Sequence, residues 1–206
     1  MKNFSLIIYN PISGSKSNKF IILKLESKFK DLNKNYQLVE TKYKGHAEDI
    51  CSKADISLYD SIIICGGDGT FNEAINGLIK SHKFNLPPVG FLPGGTGNAF
   101  MHDLEATNPD KAIELILNEH TRKIDVLKLE FKKNVEYCIN IVGWGMVTDI
   151  LILAEKMRLF GNTRYTLASL YYLFNLNYLF NKSIRNIDIK IDNEKKKREK
   201  YIFILI

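Results

Sequence analysis

Three short stretches concentrate residues that could do chemistry: Asn10-Pro11-Ile12-Ser13-Gly14, Gly66-Gly67-Asp68-Gly69-Thr70 and Leu92-Pro93-Gly94-Gly95-Thr96-Gly97-Asn98. Glycines adopt positive φ freely and let a backbone approach a polyphosphate closely. A helix that starts after such a turn adds free amides and the positive end of its dipole. Asp68 would repel phosphate unless a cation stood between them, which points to Mg2+, bound directly or through water. It could equally be a general base toward an acceptor hydroxyl, or a helix cap in an ordinary tight turn. Thr96 and Asn98 can donate to a phosphate or a nucleoside, and Asn10 with Gly14 forms a third wall. No Gly-Lys-Ser/Thr completes a Walker A loop, and the protein-kinase glycine loop is also absent.

The three turns need elements to hold them. Phe4–Tyr9, Ser61–Cys65 and Val89–Leu92 are uncharged, strand-like runs, each ending at one of the turns. A further strand is predicted over Tyr36–Thr41. Helices are predicted over Phe20–Phe29, His46–Ala54 and Pro109–Glu119, with Pro109 suited to a first turn. Another helix follows Thr70, with Phe71, Ala74, Ile75 and Leu78 on one face. Strands alternating with helices predict a parallel α/β sheet, whose ligands bind beyond the carboxyl ends of the strands.

The pattern changes after about residue 122. Paired strands are predicted at Ile124–Phe131 and Val135–Val142, then helices at Asp149–Leu159 and Thr163–Phe180. A hairpin of Ile184–Ile191 and Lys200–Ile206 is predicted around Lys195-Lys196-Lys197-Arg198. Two domains are therefore expected: an α/β domain over 1–122 and a partial, more β-rich domain over 123–206. The chain stops inside an apolar strand-like run, whose edge would be exposed, so a fragment is expected.

Bulk properties narrow the partners. The 206 residues include 29 basic and 23 acidic ones, a net charge of +6, which favours anionic partners without choosing nucleotide, nucleic acid or acidic membrane. The basic run is either a solvated hairpin tip or a loop that touches a membrane. Cys51, Cys65 and Cys138 show no CxxC or CxxH spacing, which argues against zinc, and their sparse odd count fits a reducing compartment. The longest uncharged stretch, between Arg164 and Lys182, carries Thr166, Ser169, Asn175 and Asn177 and is weak as a membrane span. No signal peptide is visible. A cytoplasmic protein that touches membranes from outside is expected.

Taken in order, these motifs resemble the diacylglycerol kinase catalytic superfamily, nearest its sphingosine and ceramide kinase branch. Asn10–Gly14 resembles the first nucleotide loop, and Thr41 with Gly45-His46-Ala47 resembles the threonine and His-Ala motif. Gly66 through Asn72-Glu73 to Asn76-Gly77-Leu78 resembles the signature, and Leu92 through Asn98-Ala99 the second glycine motif. NAD kinases share the Gly-Gly-Asp-Gly turn but not the second motif. The resemblance, running from Ile8 to about Leu170, implies a Rossmann-like domain related to phosphofructokinase and NAD kinase, followed by the start of a β-sandwich domain. It implies ATP with Mg2+, and a lipid at a membrane surface as partner rather than nucleic acid. Nucleotide contacts are implied for Asn10, Pro11, Ser13, Gly14, Thr41, Gly66, Gly67, Gly69, Thr70, Glu73, Gly94, Gly95, Thr96 and Asn98, with Asp68 as catalytic and metal-side residue.

Gly143-Trp144-Gly145 through Asp149, Glu155 through Gly161, and Arg164 through Leu167 carry the branch resemblance. It implies that Arg158 and Arg164 reach the ATP phosphates, as permanently charged forks suit; both could instead be plain surface arginines. Asp149 is either a head-group contact or a structural carboxylate. Sphingosine kinases carry an acid two positions later, where this chain has Leu151, so a cationic amine loses its obvious partner and neutral lipids stay open. The stripe Tyr165, Leu167, Leu170, Tyr171, Leu173, Phe174, Leu176, Leu179 and Phe180 lies near lipid by analogy, or packs as an ordinary helix face. His46 is expected to make a loop contact and His102 to lie at the surface. An NAD-kinase-like small-molecule kinase and a non-catalytic nucleotide-binding module are the other readings.

Overall fold

Ile62, Ile63 and Ile64 are consecutive and all fully buried. Neighbouring side chains on a strand point to opposite faces, so the sheet is covered on both sides at this strand. The computed structural model describes residues 4–14, 18–83, 85–95, 97–161, 163–175, 185–189, 192 and 197–206. The central element is a parallel sheet of β1 (Phe4–Tyr9), β2 (Asn35–Glu40), β3 (Ser61–Gly66) and β4 (Val89–Pro93), in the order β2-β1-β3-β4. The chain moves to one side of β1 to make β2 and returns to the other side for β3. The switch point between β1 and β3 is where open α/β sheets leave a crevice.

The crossovers are helical: α1 (Asn18–Asp31), α2 (His46–Lys53) and α3 (Asp68–His82); α4 (Ala99–Asp103) and α5 (Pro109–Leu117) follow β4. On α3 the predicted face, Phe71, Ala74, Ile75 and Leu78, is buried. Phe71 meets Phe91 of β4 edge to face at 4.9 Å. Gly77 permits close approach to α2, since a Cβ there would stand 2.3 Å from the Glu48 carbonyl oxygen. Pro109 occupies the first turn of α5 behind an Asn108 cap. The short helix α4 has no counterpart in the sequence reading, being too short for periodicity to reveal.

Two compact units divide the chain, Met1–Asn140 and Ile141–Ile206, later than the boundary expected at residue 122. The hairpin of β5 (Leu127–Glu130) and β6 (Val135–Cys138) therefore counts with the first unit. The second unit contains β7 (Gly143–Gly145), α6 (Met146–Lys156), a 3-10 turn at Arg158–Phe160 and α7 (Thr163–Phe174), followed by β8 (Arg185–Ile189), β9 (Lys197–Tyr201) and β10 (Phe203–Leu205). The strand expected over Lys200–Ile206 is divided: β9 pairs with β8, whereas β10 pairs with β7. Lys197 and Arg198 belong to β9, while Lys195, Lys196 and the expected helix end at Leu176–Phe180 lie outside the described residues. Among the described residues, no helix is long and apolar enough to cross a membrane.

Cys51 and Cys65 are fully buried, and desolvation pushes both thiols up to about 12. Cys138 is half-buried. A thiolate-specific reagent at pH 8 is therefore expected to modify Cys138 alone in the folded chain, and all three cysteines in denaturant. Colorimetric thiol counting before and after denaturation checks this.

Candidate functional site

The residues at the switch point are tied together by their backbones. Asn10 donates its N–H to the Cys65 carbonyl at 2.9 Å, and Gly94 donates to the Gly66 carbonyl at 2.7 Å. These bonds join the ends of β1, β3 and β4. The glycines then let the turns touch without side chains. Gly14 sits at φ +61°, and a Cβ there would come within 2.4 Å of the Gly94 carbonyl oxygen. A Cβ on Gly95 would meet the Gly67 Cα at 2.5 Å. Gly66 leaves room for the Thr70 side chain, which a Cβ would meet at 2.7 Å.

Asn10 is the hub of the first turn. Its Nδ2 donates to Thr70 Oγ1 at 3.0 Å, and its Oδ1 accepts the Ile12 N–H at 3.1 Å. Its carbonyl accepts from Asn18 Nδ2 at 2.6 Å and from Ser13 Oγ at 3.3 Å. Ser13 Oγ also reaches the Gly94 carbonyl at 3.1 Å. Asn18 is fully buried at the start of α1 and lies under the first and third turns; a Cβ on Gly94 would collide with its Oδ1. Sequence reading missed Asn18, although a polar residue opening an apolar helix is a usable signal. Pro11 is half-buried between these contacts.

The Asp68 carboxylate bridges the second and third turns. Oδ2 accepts the Ala99 N–H and Oδ1 the Phe100 N–H, each at 3.0 Å. Asp68 thus caps α4, not the helix it begins. Asn98, in the left-handed region at φ 48°, folds its carboxamide back on Gly95: Oδ1 accepts the Gly95 N–H at 2.9 Å and Nδ2 donates to the Gly95 carbonyl at 3.0 Å. Thr96 lies outside the described residues. Gly69 is exposed with open space around its Cα, and Glu73 is half-buried on α3.

Thr41 is buried and extends the β1–β2 pairing by donating its N–H to the Tyr9 carbonyl at 2.9 Å. Beside it, His46 makes the expected loop contact: Nδ1 accepts the Lys42 N–H at 3.0 Å and the ring stacks on Tyr43 at 4.4 Å. His102 is exposed on α4. The three turns therefore come together in the first unit with Asp68 among them. No lysine or arginine occurs within them, so their capacity for anions rests on amides and hydroxyls.

The second unit carries the remaining predicted residues. Asp149 is half-buried in the first turn of α6, and Leu151 is exposed. Arg158 opens the 3-10 turn. Arg164, on α7, donates to the Tyr165 hydroxyl at 2.7 Å, lies 3.5 Å from Glu155 Oε1 and stands 4.7 Å from the Tyr165 ring centroid. The hydrogen bond with Tyr165 holds its pKa above the usual guanidinium value. Leu167, Leu170, Tyr171, Leu173 and Phe174 of the aromatic stripe are exposed, while Ala168 is the buried residue of α7.

A parallel sheet with its turns gathered at the switch point defines a Rossmann-like α/β domain. Residues 5–129 match the diacylglycerol kinase catalytic domain, and the chain belongs to that family. Sphingosine kinase 2 of Arabidopsis thaliana is 32% identical over 168 residues, covering 77% of this chain and 35% of that protein. A diacylglycerol kinase of Bacillus subtilis (strain 168) is 35% identical over 146 residues, covering 70% of this chain and 46% of that protein. A solved structure described as a diacylglycerol kinase of Bacillus anthracis str. Sterne aligns at TM-score 0.74 and 26% identity, covering 100% of this chain and 66% of that one. The chain thus spans between about a third and two thirds of the length of these relatives.

The glycine contacts generate a paired test. Gly14→Ala puts a Cβ on a left-handed backbone and against the Gly94 carbonyl, and is expected to cost about 1–3 kcal/mol. Gly69→Ala, in open space in the first turn of α3, is expected to be neutral or to stabilise by up to about 1 kcal/mol. Urea unfolding of the two variants beside the parent chain checks both signs.

Proposed function

We propose that the chain is the nucleotide-binding part of an ATP-dependent lipid kinase, transferring the γ-phosphate of Mg-ATP to a hydroxyl of a sphingoid lipid, ceramide or diacylglycerol. The observation that carries this reading is the backbone-to-backbone meeting of three glycine or Asn-Pro turns at the sheet's switch point. Glycine at these contacts lets a polyphosphate lie close to the backbone of such a floor. Family membership supports the phosphotransfer chemistry, and the names of the relatives support the lipid acceptors.

The donor set around Asp68 fits magnesium in one manner. Among the described residues, no group of three or more His, Cys, Asp or Glu side chains could hold a metal unaided. Magnesium characteristically keeps several waters and takes one or two carboxylates together with nucleotide phosphates, so a single carboxylate suffices. Asp68 would hold it, directly or through water, and the ion would supply neutralisation of charge on the transferring phosphoryl group. The chain's own residues do the positioning. Asn10 and Thr70 tie the first turn to the second, Ser13 ties the first to the third, and Asp68 and Asn98 shape the third. Arg158 and Arg164 would offset developing charge on the phosphates, the task for which the three turns contain no cation.

Two features bear on the acceptor. Leu151 is apolar and exposed where a carboxylate would be needed to hold a cationic amine, which favours a neutral lipid. The exposed ridge of Leu167, Leu170, Tyr171, Leu173 and Phe174 suits acyl chains or a membrane surface.

Labelled γ-phosphate is expected to pass from Mg-ATP to vesicle-borne diacylglycerol or ceramide in preference to sphingosine, and not to soluble NAD. ATP binding without any labelled lipid would establish a non-catalytic nucleotide module instead. Asp68→Asn replaces one acceptor of the Ala99–Phe100 cap with an amide. It is expected to lower kcat by about 10²–10³-fold or more, with circular dichroism unchanged; normal turnover in that variant removes Asp68 from the mechanism.

A further inference from the structure

The hairpin β5–β6 is a two-stranded ribbon, so the outer edge of each strand needs hydrogen-bond partners. On β6, Tyr137 finds both in one side chain. Its N–H donates to Asn76 Oδ1 at 2.8 Å, and its carbonyl accepts from Asn76 Nδ2 at 2.7 Å. The carboxamide stands where the peptide of a third strand would stand. The same Nδ2 donates to the Asn72 carbonyl on its own helix at 2.9 Å, which fixes the rotamer. Asn76 is only 1% exposed, so its carboxamide must find its partners within the protein.

One turn along α3, on the same face, Lys80 pairs with Glu136 of β6 at 2.7 Å and with Glu48 of α2 at 2.9 Å. Helix α3 therefore grips the hairpin at adjacent residues, 136 and 137. The first residue of this helix is Asp68, whose carboxylate shapes the third glycine turn. The chain leaves β6 at Cys138, and the second unit begins at Ile141. One rigid helix thus connects the glycine turns at its start with the strand that leads into the second unit.

We propose that Asn76 is a positioning residue. Its carboxamide pins β6, the last strand of the first unit, to the helix that begins at Asp68, and turnover on lipid depends on that anchorage. The proposal rests on the kinase reading above. Asparagine is needed because the site demands one donor and one acceptor at fixed spacing. An aspartate there would turn a carboxylate oxygen toward the Tyr137 carbonyl, and an alanine or leucine would remove both bonds that the carboxamide makes to the Tyr137 peptide groups.

The test follows the full chain with Asn76→Ala and, as control, Lys80→Gln, which removes the ion pairs and leaves the carboxamide. Three quantities are measured: hydrogen exchange at the Tyr137 amide, ATP dissociation constant, and kcat and KM on lipid vesicles. In Asn76→Ala, Tyr137 is expected to exchange about tenfold faster or more, as loss of one net hydrogen bond implies. Turnover on lipid is expected to fall by about tenfold, while ATP affinity holds within about twofold. Lys80→Gln is expected to change each quantity by less than about threefold, the effect of an exposed ion pair. Unchanged exchange at Tyr137 overturns the clamp. ATP affinity falling in parallel with turnover overturns the positioning role in favour of general destabilisation. If the parent chain binds ATP but phosphorylates no lipid, the kinase reading fails, while faster exchange at Tyr137 still shows the clamp to be structural. Should Asn76→Ala not fold, Asn76→Asp keeps the acceptor and loses the donor. It is expected to show the same split between ATP affinity and turnover.

Discussion

The structure depends on atoms that are missing. Gly14 against Gly94 and Gly67 against Gly95 are backbone-to-backbone contacts in which a single Cβ would collide at 2.4–2.5 Å. Because those positions carry hydrogen, three turns from the ends of β1, β3 and β4 can share one floor. Asn10, Asn18 and Ser13 then fill the space beneath with hydrogen bonds, since no apolar side chain fits a layer built of peptide groups. The cost of the left-handed backbone at Gly14 is avoided in the same way.

Helix α3 carries this local arrangement outward. It begins at the second turn, caps the helix after the third through Asp68, and closes on α2 at Gly77. Its Asn76 and Lys80 hold β6. A carboxylate bonded to two helix-terminal amides is well fixed in orientation, and each oxygen keeps a further lone pair. Asp68 can thus shape a loop and still face a hydrated cation. The cap and the proposed metal-side role are compatible for that reason.

Charge differs between the glycine turns and the second unit. The first unit's turns present amides and hydroxyls and contain a single acidic group. The second unit holds Arg158 and Arg164, and Arg164 is oriented by Glu155 and the Tyr165 ring rather than left to wander. A guanidinium held as that of Arg164 is loses little entropy on pairing with an anion. The same unit leaves Leu159, Phe160, Tyr171 and Phe174 exposed, an apolar surface of the kind that marks an interaction site.

Much of the first unit was legible from residues alone. Consecutive isoleucines announced β3, and the face Phe71, Ala74, Ile75 and Leu78 announced α3, because burial on both faces of a sheet or one face of a helix imposes its own period. The three turns and the family resemblance were also legible, since glycine and asparagine types at strand ends reflect backbone demands that few other residues meet. What the sequence could not disclose was partnership. Nothing local says that Asp68 caps α4, that Asn18 lies beneath Gly94, that Asn76 completes the edge of β6, or that β9 and β10 join different partners on either side of Ile202. Those pairings join residues distant along the chain. Hydrogen-bond donors and acceptors carry no sequence period, so only the tertiary structure decides which of them meet.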